Sequence, residues 1–247
     1  MTGLRVAARY LTIVPLPGPT RLTPDALGRS APWFPVIGIG IGVILLVVDR
    51  VTQVVFPTLL GALLTVTAWK LLTGGLHLDG LADCLDALGG HDAEHRLAIM
   101  RDSRIGAFGA LGLILVLLLE IAALTELPPS VRQASLLVVP VVARATPPLL
   151  ARLFAPARSE GQGAAFGAGL SATAAPIALS IALVVAIVAL RVLGLVVVVV
   201  ALGSALLVTR FVAARVGGIT GDVLGAAIEV AELAGLLTVA AWSHLGR

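Results

Sequence analysis

The sequence predicts an all-α membrane protein: a polytopic bundle of six to seven transmembrane helices preceded by a helix lying in the membrane interface. First, hydrophobic residues make up 58% of the 247 and charged residues only 13%, and the mean hydropathy is +1.05, values far from those of soluble domains. Second, the apolar residues form long runs, which can satisfy their backbone in lipid only as helices. Third, 16 of the 17 basic residues are arginines, mostly between these runs, as the positive-inside rule requires. Residues 1–247 are interpreted as one membrane-embedded domain.

The N-terminal stretch 3–13, "GLRVAARYLTI", predicts the interfacial helix. Its apolar residues share one helical face and its arginines lie off that face: Leu4, Ala7, Ala8 and Leu11 against Arg5 and Arg9. The sequence "PLPGP" from Pro15 to Pro19 is expected to end this helix, because proline lacks the donor that a helix needs.

Seven apolar runs are candidate spans: 33–48, 57–72, 105–124, 136–154, 173–190, 192–209 and 223–243. Several are shorter than the roughly 20 residues that a perpendicular helix needs. The first two could form a single hairpin or extend into their flanks, so both six and seven spans stay open.

The distribution of basic residues predicts the orientation. With a cytoplasmic N-terminus and seven crossings, twelve basic residues fall inside or at that boundary: Arg5, Arg9, Arg21, Arg29, Lys70, Arg96, Arg101, Arg104, Arg152, Arg158, Arg210 and Arg215. Four fall outside, namely Arg50, Arg132, Arg191 and Arg247, and Arg144 lies within a span. This bias predicts a multi-pass protein whose polar motifs face the cytoplasm.

The most acidic stretch is Gly74–Asp92, "GGLHLDGLADCLDALGGHD". Asp79, Asp83 and Asp86 are spaced so that a helix would place all three on one face, where their charges repel one another. A divalent cation removes this conflict, because carboxylate oxygens suit Mg²⁺ or Mn²⁺. A solvated loop helix is the simpler alternative, although such a face would mix lysines with the acids.

A second acidic motif, "GGITGDVLGAAIEVAEL", opens the last span and places Asp222 and Glu229 on one helical face. Glu229 lies inside an apolar segment, where an ionisable group is costly and usually functional. For Glu120, in another span, the favoured interpretation is snorkelling or an ordinary interhelical hydrogen bond.

Two further segments predict contacts with substrate. In "IMRDSRIGAFGALG", Arg101 and Arg104 can bind phosphate oxygens near a helix start, although basic residues are also expected at a cytoplasmic helix end. The glycine-rich "ARSEGQGAAFGAG" contains Glu160 and predicts a flexible substrate loop. Together, acids for a metal and arginines for phosphate indicate chemistry on a diphosphate.

Three segments, "TGGLHLDGLADCLDAL", "IMRDSRIGAFG" and "GITGDVLGAAIE", with "SEGQG" between the last two, resemble the cobalamin-5'-phosphate synthase family, also called adenosylcobinamide-GDP ribazoletransferase. The resemblance covers about residues 5–240. It implies a Mg²⁺-dependent enzyme of the inner membrane that joins adenosylcobinamide-GDP to α-ribazole or its 5'-phosphate and releases GMP. Ala87 departs from the family pattern, which is expected to have glycine after the third aspartate.

The resemblance and the motifs together give the candidate site. Asp79, Asp83 and Asp86 are the expected metal ligands and, with Asp222, the catalytic residues; the expected substrate-binding residues are His77, Arg101, Asp102, Arg104, Glu160, Gly221 and Glu229. For the base that accepts the hydroxyl proton, Asp86, Asp222 and His77 stay open.

Other functions predict other features. A CDP-alcohol phosphotransferase would have an Ala-Arg pair after its first Asp-Gly, and "DGLADCLDALGG" lacks this pair. An aromatic prenyltransferase would have two well-separated aspartate-rich motifs, and "GITGD" fits the second of these poorly. A cation-coupled transporter using Glu120 and Glu229 would take up solute without releasing GMP. The expected partners are the two substrates and the lipid bilayer. A homo-oligomer is possible, and no basic stripe with interleaved aromatics indicates nucleic-acid binding.

Overall fold

The computed structural model describes residues 3–18, 23 and 25–246. These residues form thirteen α-helices: α1 (Gly3–Leu11), α2 (Ala26–Ser30), α3 (Phe34–Val55), α4 (Thr58–Leu72), α5 (Leu76–Asp86), α6 (Ala93–Ile99), α7 (Ala107–Glu126), α8 (Pro129–Arg144), α9 (Thr146–Leu153), α10 (Gln162–Ala168), α11 (Ala174–Leu190), α12 (Val192–Val216) and α13 (Gly221–His244). The described chain contains no β-strand, only one parallel bridge between Pro156 and Ile219. The predicted all-α membrane class is confirmed.

Five helical segments are long and apolar enough to cross a membrane: Ala26–Val55, Ala107–Glu126, Pro129–Leu153, Val192–Val216 and Gly221–His244. The number rises to six if the bent pair Thr58–Leu72 and Leu76–Gly89 counts as one span. The predicted count of six is met if this pair is one span, whereas the described residues provide no seventh span by length and composition, which leaves a difference from the seven candidate runs. The difference comes from α4 and α11, whose 15 and 17 residues rise only about 22 and 26 Å against a hydrocarbon core of about 30 Å.

The central helix of the bundle is α13, which packs against α12, α5, α8 and α7. A second extensive contact joins α3 and α8. There Gly38 and Gly42 face the backbone of α8, and a Cβ at either would lie within 3.0 Å of it. This small-xxx-small spacing lets two helix backbones approach closely in lipid.

The N-terminal helix packs onto the bundle. Its buried residues are Val6, Ala7 and Leu11, whereas Leu4, which was expected on the apolar face, is exposed. Tyr10 stacks on Phe34 at 5.9 Å between ring centroids, and Phe34 meets Phe166 of α10 edge-on at 5.4 Å. The described chain has no helix over 13–18, while Pro19, Arg21 and Arg247 lie outside the described residues.

A sharp break separates α4 from α5, whose axes differ by 88°. Gly74 and Gly75 adopt φ values of +66° and +67°, a left-handed conformation that favours glycine. The N–H of Gly75 donates to the carbonyl of Lys70 at 2.9 Å and the N–H of Gly74 to that of Leu71 at 2.9 Å, which satisfies the last carbonyls of α4. The two glycines therefore let α5 turn away from the path of α4.

At its other end α5 passes into a 3₁₀ turn over Ala87–Gly89. Ala87 is buried and has a right-handed φ of −61°. This conformation needs no glycine, so the departure from the family pattern at Ala87 does not disturb the end of the helix.

Candidate active site

One cavity of about 540 Å³ contains most of the predicted polar site. Asp79 and Asp83 line it from α5, Asp222 from the start of α13, and Arg101, Asp102 and Arg104 from the loop before α7. The structure thus brings together side chains from three separate segments. The volume lies within the range of about 300–1,000 Å³ typical of ligand pockets.

Glycine makes this arrangement possible where α5 meets α13. A Cβ on Gly80 would lie 2.7 Å from the carbonyl oxygen of Asp222 and 2.9 Å from its Cα. Further along, a Cβ on Gly225 of α13 would lie 3.3 Å from the Cα of His77, which is closer than an ordinary van der Waals contact. The two backbones therefore approach closely enough for Asp222 to share a cavity with Asp79 and Asp83.

Asp86 has a different environment from its two companions. Its Oδ2 accepts the N–H of Gly106 at 2.7 Å and its Oδ1 accepts the N–H of Gly109 at 2.8 Å. Because the first N–H groups of a helix lack intrahelical partners, Asp86 acts as a cap for α7 from a different helix. It is absent from the residues that line the cavity. The metal-ligand role of Asp86 stays a prediction, and the observed contacts are structural.

The arginine loop is organised by Asp102. Its carboxylate accepts the backbone N–H of Arg104 at 3.1 Å and the Nε of Arg104 at 3.0 Å, and it also contacts Nη2. The hydrogen bonds from the Arg104 side chain and backbone lower the pKa of Asp102 to about 2. Asp102 therefore positions Arg104 at the cavity rim, while Arg101 also lines the cavity.

Asp222 also lines a second cavity of about 220 Å³ on the other side of the α13 N-terminus. This cavity is formed by Glu160 of the glycine-rich segment, by Gln162 at the start of α10, and by Thr220 and Gly221. The segment predicted as a flexible loop is therefore helical over Gln162–Ala168. The segment packs closely here, because a Cβ on Gly163 would lie 2.8 Å from the carbonyl oxygen of Ile219. A Cβ on Gly221 would likewise lie 2.6 Å from Oε1 of Gln162. Glu160 and Gly221, two of the predicted substrate-binding residues, thus line the same cavity as Asp222.

His77 lies beneath these cavities. Its side chain is buried, and neither ring nitrogen has a hydrogen-bond partner among the described residues. A small cavity beside it is also lined by Tyr10, Gln162 and Asp222. Tyr10 donates to Oε1 of Gln162 at 3.2 Å, and burial, followed by the charge of Asp222, raises the pKa of Tyr10 to about 12. The N-terminal helix therefore forms part of the wall of the site, which its sequence did not predict.

Glu229 lies apart from both cavities, in a buried ionic cluster. The members of this cluster are Lys70, Glu120, Arg144, Glu229 and Glu232. Lys70 Nζ lies 3.0 Å from Glu120 Oε1, 2.6 Å from Glu229 Oε2 and 2.8 Å from Glu232 Oε2, and Arg144 also pairs with Glu232.

The cluster gives Glu229 a structural environment that differs from the predicted substrate contact. Its three carboxylates lie close enough to hold a metal ion, but the ammonium group of Lys70 bonds to all three. The interhelical hydrogen bond favoured for Glu120 is observed. From the sequence, Lys70 was interpreted only as one of the cytoplasmic basic residues that set the orientation. It is the one lysine of the chain and lies in an apolar run, and this position could have indicated a buried ionic contact.

A helical bundle with an apolar exterior that encloses aspartates and arginines in one cavity defines a membrane-embedded transferase. Residues 3–240 match the family model described as cobalamin-5-phosphate synthase. The chain belongs to this family, and the resemblance inferred from its three motifs is confirmed.

Curated relatives named adenosylcobinamide-GDP ribazoletransferase match almost the entire chain. The relative from Pseudomonas paraeruginosa is 40% identical over 243 residues, covering 97% of this chain and 98% of the relative. The relative from Geotalea daltonii is 35% identical, covering 96% of each chain, and that from Brevibacillus brevis is 36% identical, covering 98% and 99%. No solved structure shows significant similarity to this chain.

Proposed function

We propose that this protein joins adenosylcobinamide-GDP to α-ribazole or α-ribazole 5'-phosphate and releases GMP, a late step in cobalamin biosynthesis. The observation that supports this most directly is the cavity in which Asp79, Asp83 and Asp222 lie together with Arg101 and Arg104. A diphosphate donor needs both kinds of group, because its negative charge must be neutralised and its leaving phosphate stabilised.

The donor set of the cavity fits Mg²⁺. Asp79 and Asp83 both line it, and the charges of Asp79 and Asp222 both act on Asp83. The residues that line the cavity include no cysteine or histidine, and hard carboxylate oxygens suit Mg²⁺ rather than softer metals. When bound, Mg²⁺ would neutralise charge on the diphosphate. We assign the metal to Asp79 and Asp83. We retain Asp86 as the third candidate ligand, although both of its oxygens accept N–H groups at the start of α7.

The remaining roles follow from position. Arg101 and Arg104 donate hydrogen bonds to the diphosphate, and Asp222 accepts the proton of the attacking ribose hydroxyl. The bond from this hydroxyl oxygen to the phosphorus bearing the cobinamide arm forms as the bond from that phosphorus to the GMP oxygen breaks. Among the three candidate bases, Asp222 is favoured because it borders both cavities, whereas both Asp86 oxygens accept backbone N–H groups.

The assay for this function measures GMP release. Purified protein in lipid, given adenosylcobinamide-GDP and α-ribazole 5'-phosphate, should release GMP only when both substrates are present. Replacing Arg101 and Arg104 together with lysine should lower kcat/KM roughly 10- to 150-fold, because lysine lacks the planar fork that binds phosphate. Uptake of solute into proteoliposomes without GMP release would instead support a cation-coupled transporter.

We also propose that the site faces the cytoplasm from the bacterial inner membrane. The support is the excess of basic residues on the predicted cytoplasmic segments. The natural Cys84 is buried and is therefore a poor labelling site. Ser159 is exposed beside Glu160, so a Ser159→Cys variant in a Cys84→Ala background should react with an impermeant thiol reagent only after the membrane is permeabilised. Labelling in intact cells would reverse the orientation.

A further inference from the structure

Arg158 is held beside the catalytic region by a backbone clamp. The N–H of Ile219 donates to the carbonyl of Ala155 at 2.9 Å, and the N–H of Ala157 donates to the carbonyl of Ile219 at 2.9 Å. Gly218 permits this contact, since a Cβ there would lie 2.6 Å from both the Ala155 oxygen and the Ala157 nitrogen. The chain just before Arg158 is thereby fixed against the turn that leads into α13.

The guanidinium of Arg158 has an incomplete set of partners. Nη2 donates to the carbonyl of Leu97 at 3.3 Å, but the buried Nε has no hydrogen-bond partner among the described residues. Arg158 and Arg101 also lie close enough for their like charges to repel, and Asp222 acts on Arg158 with the opposite sign. Two neighbouring guanidinium groups with free donors are suited to an anion with several oxygen acceptors.

The cavity that Arg158 lines also has room and partners for a sugar. Its 220 Å³ is below the roughly 300 Å³ at which pockets for whole ligands begin, so it suits part of a substrate. Glu160 and Asp222 line it as well. These carboxylates can accept hydrogen bonds from sugar hydroxyls, and they would repel a phosphate that had no cation beside it.

We propose that Arg158 binds the 5'-phosphate of α-ribazole 5'-phosphate in this second cavity and so sets the preference for the phosphorylated over the free acceptor. This inference rests on the proposed function. It places the donor diphosphate in the aspartate cavity, the acceptor in the second cavity, and Asp222 between them. The acceptor hydroxyl can then reach Asp222 while its phosphate stays with Arg158.

The test compares two acceptors in one enzyme preparation. For the parent and for Arg158→Gln, kcat/KM is measured by GMP release with α-ribazole 5'-phosphate and with α-ribazole. The ratio of the two values does not depend on the fraction of folded protein. We expect Arg158→Gln to lower this ratio roughly 10- to 100-fold, as the loss of charged hydrogen bonds to phosphate predicts. Arg158→Lys, which keeps the charge, should lower it less. Arg152→Gln, which removes an exposed arginine of α9, should leave it unchanged.

The outcomes separate this inference from the proposed function. A parent that releases no GMP with either acceptor refutes the proposed function itself. An active parent whose Arg158→Gln variant loses activity equally with both acceptors refutes only the phosphate contact, because Arg158 would then act on the donor or on folding. An unchanged ratio in Arg158→Gln likewise refutes it.

Discussion

Replacing Lys70 with methionine removes the only ammonium group from the buried ionic cluster. The side chain of Lys70 bonds to three carboxylates at 2.6–3.0 Å, and all three are buried. After the change, three carboxylates would share only Arg144. Removing one partner of a buried ion pair costs about 3–5 kcal/mol, mainly because the other charge is left buried and uncompensated. At about 2–4 °C per kcal/mol for a chain of this size, the melting temperature should fall by roughly 6–20 °C.

The assay is thermal unfolding of the purified protein in detergent, followed by circular dichroism. The double variant Lys70→Met with Glu229→Gln removes one negative charge along with the positive one, and it should recover part of the lost stability. As a matched control, Arg50→Gln removes an exposed cation of α3 together with one exposed hydrogen bond to Gln133, and it should shift melting by little. A Lys70→Met protein that melts within about 2 °C of the parent would show that the cluster does not depend on this ion pair.

Four further variants test the site and its frame. Asp79→Asn or Asp83→Asn should abolish GMP release and reduce the rise in melting temperature that Mg²⁺ gives the parent; equal rises with retained activity would reject the metal assignment. Asp86→Ala should lose about 1 kcal/mol of stability in EDTA as well as in Mg²⁺, because a helix cap is removed, and unchanged melting in EDTA would reject the cap. Gly80→Ala should cost about 1–3 kcal/mol and lower kcat, since its methyl group would push α5 off α13. Gly40→Ala meets open space inside α3 and should melt no lower than the parent, because alanine is the better helix former.

The sequence predicted the membrane fold because hydropathy and backbone satisfaction leave few alternatives in lipid. The spacing of Asp79, Asp83 and Asp222 along two helices likewise predicted residues that the structure brings to one cavity. Asp86 could not be told apart from Asp79 and Asp83 by the same reasoning. Helical periodicity shows which residues share a face, but it does not show that the next helix places its free N–H groups over one of them.

Contacts between residues far apart in the chain also explain which functional and structural residues the sequence did not indicate. Lys70 and Glu232 are far apart in the chain, and the packing of both α4 and α13 against α7 brings their side chains together. Arg158 was counted among the cytoplasmic cations, since no local pattern shows that the Ala155–Ala157 backbone pairs with Ile219. Lys70 and Arg158 are both basic. The positive-inside rule explains on which side of the membrane they lie, but it predicts no contact for either side chain.

The ionic cluster and the cavity are parts of one frame. Lys70 accepts the hydrogen bond that ends α4 through its carbonyl and binds Glu229 of α13 through its side chain. Glu229 lies seven residues, or about two turns, after Asp222 on the same helix. Lys70 therefore fixes the start of the turn into α5 through its carbonyl, and it fixes the position of α13 along its axis through its side chain. Since Gly80 touches the backbone of Asp222, a shift of either helix would change the distance between Asp222 and the α5 aspartates. Lys70→Met should consequently lower kcat below the unfolding transition as well as stability, although Lys70 lines none of the three cavities bordered by Asp222.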